Sequence, residues 1–451
     1  MRTHHRSGEP QATRHIAVVG SGIAGLSAAW LLSRTHRVTL FEAAGRAGGH
    51  SNTVMVPTGD TETAVDTGFI VYNERNYPNL TALFDHLGVA TQHSDMSFAA
   101  SLDDGRLEYS SNGLAGLLGQ KRNGLSLRFW LMLRDICRFY REAPKALHRS
   151  EWQHVTLGEY LDRNGYTAAF VEDHLLPMGA AIWSTTARQM RRYPLTAFVR
   201  FFIHHGLLDL MNRPKWRTVT GGSIEYVKRL TGAVQDVRVG TGAVEIRREH
   251  GGVTILDSSG SREWFGDVVI ATHADQALRL LADADDSETR LLGAFDYTDN
   301  VAVLHRDTSL MPKRQSVWAS WNYLGEASAD GERPLCVTYW MNMLQDLDPA
   351  HPIFVTLNPT REIASDKIIQ TFNYTHPLFD AKAVEAQQHL WRLQGQRNTF
   401  FAGSYFGHGF HEDALQSGLA AAEAVGGVRR PWTIEGESNR IVLAPVLEAA
   451  E

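Results

Sequence analysis

"HIAVVGSGIAGLSAAWLLSR" at residues 15–34, followed by "HRVTLFEA" at 36–43, decides the fold. The apolar run at its start predicts a buried strand, and a glycine-rich turn leads from it into a helix of good helix formers. A second predicted strand ends at Glu42. Strand, glycine turn, helix, strand and a final acid form the βαβ unit of a dinucleotide-binding Rossmann fold.

The residues of the turn have separate physical roles. Gly20 permits the tight turn, Gly22 lets backbone N–H groups approach a pyrophosphate, and Gly25 allows the helix to pack closely on the strand. The helix N-terminus adds partial positive charge, and the acid can accept hydrogen bonds from ribose hydroxyls. The predicted dinucleotide contacts are Gly20, Gly22, Ile23, Ala24, Gly25, Glu42 and Ala43.

A second glycine cluster, "AAGRAGGHSNT" at 43–53, follows directly. An NAD site does not need such a loop, whereas FAD requires a second segment near its pyrophosphate and flavin. Arg46 offers a fixed fork of donors for anionic oxygens. The strand-like run "VDTGFIVYN" at 65–73 adds another glycine turn. The further predicted FAD contacts are Arg46, Gly48, Gly49, His50 and Gly68.

The opening "GSGIAGL…VTLFEAAGRAGG" resembles the monoamine oxidase and phytoene desaturase superfamily of FAD proteins. The blocks "VDTGFIVYNERNYPNL", "SDMSF", "WNYL", "TYWMNMLQ", "VTLNP", "HPLFD" and "GFHEDAL" resemble a bacterial amine-oxidase-like branch, often encoded beside cyclopropane fatty acid synthase genes. The resemblance covers most of residues 15–425. It implies an α/β fold in which a discontinuous, glutathione-reductase-like FAD domain carries an α+β substrate domain.

The C-terminal block "FAGSYFGHGFHEDALQSGLAAAEAV" at 401–425 is predicted to be the second anchor of one extended FAD. In the family this segment meets the flavin, and a helix over 412–425 would direct its first N–H groups at the ring. Relatives often have an acid where this chain has Ser404. The implied contacts are Gly403, Ser404, Asp413, Ala414 and Ser417.

The middle segment "VRVGTGAVEIRRE" at 237–249 predicts a β-hairpin, and the family places adenine near Val244. "FGDVVIATHADQALRLL" at 265–281 is predicted to return to the Rossmann sheet. Only one dinucleotide fingerprint occurs, so the sequence predicts no separate NAD(P)H site. The predicted organisation is a disordered tail at 1–14, an FAD domain at 15–80, 215–282 and 395–430, a substrate domain at 81–214 and 283–394, and a C-terminal tail at 431–451.

The two inserts of the substrate domain differ in pattern. Segments 121–149 and 190–217 have apolar residues at helical spacing and many arginines. One interpretation is functional: the segments line an apolar acyl tunnel or form a basic amphipathic surface that rests on anionic lipid. The other is structural: they are core-facing helices whose arginines are solvated. Three aromatic runs at 316–324, 334–344 and 352–359 predict an antiparallel sheet. The predicted substrate contacts are Trp321, Tyr323, Tyr339 and Trp340.

Candidate acid–base residues are His411, Glu412 and Tyr72. His411 could carry a proton or only hydrogen-bond its loop, and Glu412 could be a helix-capping acid. The predicted function is an FAD-dependent oxidase, desaturase or dehydrogenase acting on an apolar, long-chain acyl or lipid substrate. The alternatives are a flavin amine oxidase, an FAD-dependent isomerase or mutase without net redox turnover, and a flavin-bound partner protein.

Composition narrows the class of protein. A net charge of −6 over 451 residues gives no reason to expect a nucleic-acid partner. Two isolated cysteines, Cys137 and Cys336, form neither a disulfide framework nor a zinc site, so no metal is predicted. We expect a cytoplasmic protein without an export signal or membrane span, with peripheral contact at the inner membrane face left open. The sequence leaves the oligomeric state undetermined.

Overall fold

A computed structural model describes residues 13–183, 186–208, 214–326 and 334–443. The chain divides into two compact units. The first unit contains the chain up to residue 49, residues 226–294, and the chain from 386 onward; the second contains 50–225 and 295–385. By compactness, residues 50–80 and 215–225 belong with the second unit, whereas the sequence analysis assigned them to the FAD domain.

The first unit begins with alternating strand, helix and strand, and most of the described strands belong to the second unit. The strands are β1 His15–Val19, β2 Arg37–Phe41, β3 Thr53–Thr58, β4 Thr61–Asp66, β5 Tyr72–Asn73, β6 Thr91–Ser94, β7 Phe98–Leu102, β8 Leu107–Ser110, β9 Trp216–Val219, β10 Asp236–Arg238, β11 Ala243–Glu249, β12 Gly252–Asp257, β13 Arg262–Phe265, β14 Asp267–Ile270, β15 Asp296–His305, β16 Trp321–Gly325, β17 Val337–Trp340, β18 Phe354–Leu357, β19 Ile368–Leu378 and β20 Thr399–Phe401. The helices are α1 Ile23–Leu32, α2 Pro78–Leu87, α3 Gly113–Leu117, α4 Leu127–Ala146, α5 Leu157–Arg163, α6 Ala168–Phe170, α7 Leu176–Trp183, α8 Ala187–Arg191, α9 Leu195–His204, α10 Ile224–Thr231, α11 Ala274–Leu280, α12 Asp286–Leu292, α13 Met341–Leu344, α14 Ala381–Gln387 and α15 His411–Val425.

The first unit is built on a parallel five-stranded sheet of order β10-β2-β1-β14-β20. The central strands β1 and β14 are apolar and almost fully buried, as expected for a parallel sheet covered on both faces. The predicted βαβ unit is therefore confirmed, and so is the return of segment 265–281 to the same sheet. Segment 237–249 is not the predicted hairpin, because β10 joins the parallel sheet while β11 pairs with β12 in a separate antiparallel sheet, β11-β12-β13.

The second unit contains a seven-stranded sheet of order β19-β15-β18-β17-β16-β7-β8. Strands β16, β17 and β18 pair antiparallel, which confirms the antiparallel sheet predicted from the aromatic runs. Strand β16 also pairs parallel with β7, so Trp321 lies opposite Phe98. One apolar cluster, which includes Leu304 and Tyr323, forms the core of this unit.

The two basic segments have helical cores. Helix α4 buries Phe129, Met132 and Phe139, and α9 buries Phe198 and Phe202. This supports the interpretation as core-facing helices for most of their length. In the described part of the chain, no helix is long and apolar enough to cross a bilayer.

The ends of the chain extend the first unit further than predicted. Arg14 forms an ion pair of 2.6 Å with Asp267, although it was assigned to the disordered tail; residues 1–12 of that predicted tail lie outside the described residues. Within the predicted C-terminal tail, Trp432 stacks on Trp30 at 6.0 Å. The tail prediction failed at these positions because polar sequence does not reveal a few long-range anchors.

Candidate cofactor-binding site

The first glycine loop is closed on two sides by backbone. Gly20 has φ +98°, and a Cβ atom there would lie 2.7 Å from the carbonyl oxygen of Ala271. A Cβ atom at Gly25 would lie 1.8 Å from the oxygen of Gly20. Both positions therefore need glycine, in the roles of tight turn and close packing that the sequence predicts.

Gly22 differs from its two neighbours. A Cβ atom at Gly22 would meet no protein atom within 4 Å. Gly22 is also the N-cap of α1, and among the described residues no side chain caps this helix and no acid lies in its first turn. The loop thus leaves one open side where uncapped N–H groups and the positive end of a helix meet, which fits a pyrophosphate.

Glu42 stabilises this loop from the end of β2. Its carboxylate accepts hydrogen bonds from the backbone N–H of Ser21 at 2.9 Å, the hydroxyl of Ser21 at 2.5 Å and the N–H of Ala44 at 2.8 Å. Beside it, Gly242 packs on Ala43, and Val244 is exposed at a β-bulge of β11. Gly242 therefore brings the segment that leads to Val244 next to Ala43, and Val244 and Ala43 are two of the residues predicted to contact the nucleotide.

The second glycine loop packs on the first. Gly48 and Gly49 have φ of +119° and +57°, and the N–H of Gly48 donates to the carbonyl oxygen of Ser21 at 3.1 Å. A Cβ atom at Gly49 would lie 3.0 Å from Cα of Gly22. Arg46 is exposed and donates to the carbonyl oxygen of Gly49 at 2.8 Å. The structure thus brings the two predicted glycine loops together.

The C-terminal segment returns to the same place. Ser417 on α15 accepts a hydrogen bond from the N–H of Gly403 at 2.9 Å, and a Cβ atom at Gly418 would lie 2.2 Å from the carbonyl oxygen of Ala24 in α1. Helices α1 and α15 therefore pack with almost no space between their backbones. The hydroxyl of Ser404 forms no hydrogen bond with any residue in the described ranges, so it is available to a ligand.

Buried polar side chains organise the start of α15. Asp413 accepts from the N–H of Phe410 at 2.8 Å and pairs with Arg440 at 3.4 Å, so Asp413 is the capping acid instead of Glu412. Glu412 is fully buried and accepts from Gln416 at 3.0 Å. Sequence analysis missed Arg440 because it placed that residue in a tail. The neighbouring Ala414 is nearly buried in the first turn.

His411 is the first residue of α15 and keeps some solvent exposure. Its Nε2 atom lies 2.8 Å from the hydroxyl of Tyr226 on α10. Burial lowers the pKa of His411 from 6.5 to about 3, so the imidazole is neutral near pH 7. Tyr226 is a partner that sequence analysis did not find, because 185 residues separate the two.

The remaining predicted contacts lie in the second unit. The rings of His50 and Tyr374 stack at 5.0 Å. Gly68 packs so closely on the backbone of His50 that a Cβ atom would lie 2.2 Å from its carbonyl oxygen. Tyr72 is buried edge-on against Tyr77 and Phe84, in an aromatic cluster that gives it no evident acid–base role.

The predicted substrate residues do not share one face of the sheet. Trp321 and Tyr323 are two residues apart on β16 and so lie on one face, and Trp321 lies opposite Tyr339 with their rings edge-on at 4.9 Å. These three residues belong to the apolar cluster of the unit. Trp340 follows Tyr339 directly and therefore points to the other face, where it packs on Trp318 at 5.4 Å. Of the four predicted substrate residues, the structure therefore brings three to one face of the sheet and places Trp340 on the other.

Comparison with known proteins agrees with this architecture. Residues 18–87 match the model of an NAD(P)-binding Rossmann-like domain. An L-amino-acid oxidase of Bungarus fasciatus is 58% identical over 41 residues, which span only 9% of this chain and 8% of that protein.

Two solved structures cover nearly the whole chain. A putrescine oxidase structure with bound putrescine has a TM-score of 0.65 at 14% identity and covers 92% of this chain and 99% of its own. A CLA-producing fatty acid isomerase from P. acnes has a TM-score of 0.62 at 18% identity, covering 93% and 99%. At this identity the likeness concerns the fold. The chain therefore shares the fold of these two enzymes, and its residues 18–87 match a Rossmann-like domain.

Proposed function

We propose that this chain is an FAD-dependent oxidoreductase that acts on an apolar, long-chain acyl or lipid substrate. The observation that carries the cofactor assignment is the open side of Gly22 at the uncapped N-terminus of α1, between two glycines that are closed by backbone. When bound, FAD would accept a hydride or electrons from a carbon atom of the substrate. The protein supplies binding, orientation and proton handling.

The cofactor contacts follow from the contacts within the first unit. The N–H groups of α1 bind the pyrophosphate, and Glu42 accepts from the ribose while keeping Ser21 in place. Ser404, free of protein hydrogen bonds within the described chain, binds a ribityl or phosphate oxygen. The N-terminus of α15, capped by Asp413, favours negative charge on the flavin.

We propose His411 as the residue that accepts a proton. Burial keeps the imidazole neutral, and because its pKa is only about 3 the ring would hold a proton transiently and pass it on; the hydroxyl of Tyr226 positions it. Glu412 is paired with Gln416 in the interior, and Tyr72 lies in an aromatic cluster. We therefore give both of these candidates structural roles.

The apolar substrate is proposed from the sheet face that displays Trp321 and Tyr339. The Nε1–H group of Trp321 is buried and has no hydrogen-bond partner in the described chain. The hydroxyl of Tyr339 has no partner there either, and burial raises its pKa above the ordinary value. Two unsatisfied donors on an apolar face suit a substrate with one polar end and a long apolar body.

Two other activities remain candidates. An aromatic face such as Trp321 and Tyr339 also suits a cationic amine through cation–π attraction, and the fold is shared with a putrescine oxidase. The fold likeness to a fatty acid isomerase supports a reaction on an acyl chain without net oxidation. Both keep the same cofactor site.

The test begins with the visible spectrum of the purified protein, in which bound flavin absorbs near about 450 nm. Anaerobic mixing with unsaturated fatty acids and with primary amines then separates the candidates. Bleaching by an acyl substrate supports the proposed oxidation, and bleaching by amines alone supports an amine oxidase. Conversion of an acyl substrate only after chemical reduction of the flavin supports the isomerase. A protein that stays colourless after incubation with FAD contradicts all three.

The substrate face has its own test. We expect W321F and Y339F each to raise the KM for the acyl substrate about tenfold, because each loses one hydrogen bond to the polar end. Y72F serves as the matched control and should leave KM unchanged. Equal KM values for the unchanged protein and the three variants would show that the polar end of the substrate does not contact Trp321 or Tyr339.

A further inference from the structure

Large apolar side chains are exposed along one short segment of the second unit. The exposed fractions are 77% for Leu114, 38% for Leu118, 93% for Leu125, 74% for Leu127 and 52% for Trp130. Helix α3, the 3₁₀ turn Lys121–Leu125 and the first turn of α4 carry them. We call residues 113–130 the leucine surface. Exposed apolar residues clustered in this way mark an interaction site.

The leucine surface is held firmly at the edge of the seven-stranded sheet. Gln120 is buried, and its side chain accepts a hydrogen bond from the N–H of Glu108 in the edge strand β8 at 2.8 Å. Asn123 is buried too and donates to the carbonyl oxygen of Glu108 at 2.8 Å. Two buried amides thus fix the turn from which the leucines project.

Contacts around Gly124 make the surface continuous. The indole N–H of Trp130 donates to the carbonyl oxygen of Gly124 at 3.0 Å. A Cβ atom at Gly124 would lie 3.7 Å from Cδ2 of Leu118. Leu118 and Trp130 therefore flank the turn that ends in Leu125.

The charged residues within the leucine surface and next to it in sequence are all basic. Residues 111–134 contain Lys121, Arg122, Arg128 and Arg134 but no aspartate or glutamate. Arg128 and Arg134 pair with Asp173 and Asp135.

Lys121 and Arg122 form no ion pair with any residue of the described ranges. Arg122 reaches a cleft of about 630 Å³, which is also lined by three further cations and two aspartates: Arg106, Lys313, Arg314, Asp103 and Asp104.

We propose that the leucine surface docks on an anionic phospholipid membrane. The leucines and Trp130 enter the interface between headgroups and acyl chains, and Lys121 and Arg122 contact the phosphates. A membrane fits better than a folded partner because the exposed apolar side chains lie beside Lys121 and Arg122, two cations without an ion pair in the described chain, and because residues 111–134 contain no carboxylate. The inference is independent of the proposed activity.

The test is flotation of the purified full-length protein with vesicles of phosphatidylcholine, and of phosphatidylcholine mixed equally with phosphatidylglycerol. We expect binding to the mixed vesicles. K121Q/R122Q should weaken that binding about thirtyfold, since each cation near an anionic surface contributes to it. L125Q/L127Q should weaken it about tenfold or more.

A matched variant controls for general loss of surface apolarity. The variant M55Q/I368Q replaces two exposed apolar residues of the same unit that lie outside the leucine surface. Its binding to the mixed vesicles should equal that of the unchanged protein. Thermal unfolding of each variant identifies any that fail to fold. Lipids brominated on the acyl chains should quench the fluorescence of the unchanged protein more than that of W130F.

Three results would overturn the proposal: no binding to either vesicle, undiminished binding of L125Q/L127Q, or equal quenching of W130F. A fourth is a dimer of the unchanged protein, seen by light scattering, that L125Q/L127Q converts to a monomer. That result would assign the surface to a second copy of the chain. None of these measurements uses enzymatic activity, so they stand apart from the test of the proposed function.

Discussion

The two units of this protein differ in how far apart along the sequence their contacting segments lie. The central part of the first unit is a contiguous run in which strand, turn, helix and strand follow each other within residues 15–41. The sheet of the second unit joins distant segments, so that β16 pairs with β7 and β15 pairs with β19. Local sequence therefore predicts the first arrangement well, while the second depends on packing between segments that sequence patterns do not relate.

The units also tolerate change differently. Glycines of the first unit are limited by nearby backbone atoms, as at Gly25 in the first glycine loop and Gly418 in α15. The core of the second unit is limited by side-chain volume, as around Leu304 and Tyr323. Backbone clashes leave no room to relax, whereas a core can partly collapse around a smaller side chain.

The largest expected effect is that of G25A. The new Cβ atom would lie 1.8 Å from the carbonyl oxygen of Gly20, so α1 must move away from β1. We expect a loss of about 4 kcal/mol or more in the free energy of unfolding, together with loss of bound flavin. Urea unfolding and flavin content measure both. A variant that retains stability and flavin would show that the loop can shift freely.

L304A tests the second unit. Leu304 is fully buried on β15, and its truncation should lower the free energy of unfolding by about 2–5 kcal/mol. The flavin content of the folded fraction should not change, because the cofactor contacts proposed for the first unit are untouched. Loss of flavin at full folding would show that the two units are more closely coupled than this comparison allows.

G22A separates cofactor binding from stability within the first unit. Its Cβ atom would meet no protein atom, so the free energy of unfolding of the flavin-free protein should change by less than about 1 kcal/mol. The same methyl group would occupy the proposed pyrophosphate position and weaken FAD binding about a hundredfold. Titration with FAD measures this, with G124A as the control. Unchanged FAD affinity would contradict the proposed cradle.

His411 should make the first unit sensitive to acid. Its pKa is about 3 in the folded state and 6.5 ordinarily, so only the unfolded chain takes up a proton between these values. Stability is therefore fully present above 6.5 and falls by about 1.4 kcal/mol per pH unit below it. Unfolding of H411Q at a series of pH values should lack this slope. A slope equal to that of the unchanged protein would assign the acid sensitivity to other groups.

Asp66 should act in the opposite direction in the second unit. Burial raises its pKa from 3.8 to about 6, against hydrogen bonds from Thr53 and Ser223 that lower it. The folded state therefore binds the extra proton, and this contribution to stability is present below 3.8 and lost as pH rises through 6. D66N should remove that loss in the same unfolding series. Parallel curves for D66N and the unchanged protein would contradict the assignment.

Prediction from sequence succeeded where consecutive residues reveal a steric limit on the backbone. Gly20, Gly25, Gly48 and Gly49 were identified because only glycine satisfies a tight turn or close approach, and the structure shows those constraints. The end of β2 at Glu42 also places its carboxylate beside the loop as expected. The hydrogen bonds of Glu42 to Ser21 were not foreseen, since they depend on the loop's exact course.

Two predictions failed for different reasons. Trp340 was grouped with Trp321 and Tyr339 by composition, although the alternation of a strand sends it to the opposite face. Arg440 was placed in a tail, although it pairs with buried Asp413. The adjacent positions of Tyr339 and Trp340 would have indicated opposite faces, whereas no local pattern marks the contact between Arg440 and Asp413.

By itself, the sequence determined the dinucleotide fold and its glycine loops, because steric limits on the backbone act between near neighbours, and the return of the C-terminal segment was implied by the family resemblance. Only the tertiary structure decided that Tyr226 contacts His411, that Asp413 caps α15, and that five apolar residues of the leucine surface are left exposed. Burial and pairing of side chains depend on which distant segments pack together. That packing is a property of the whole chain.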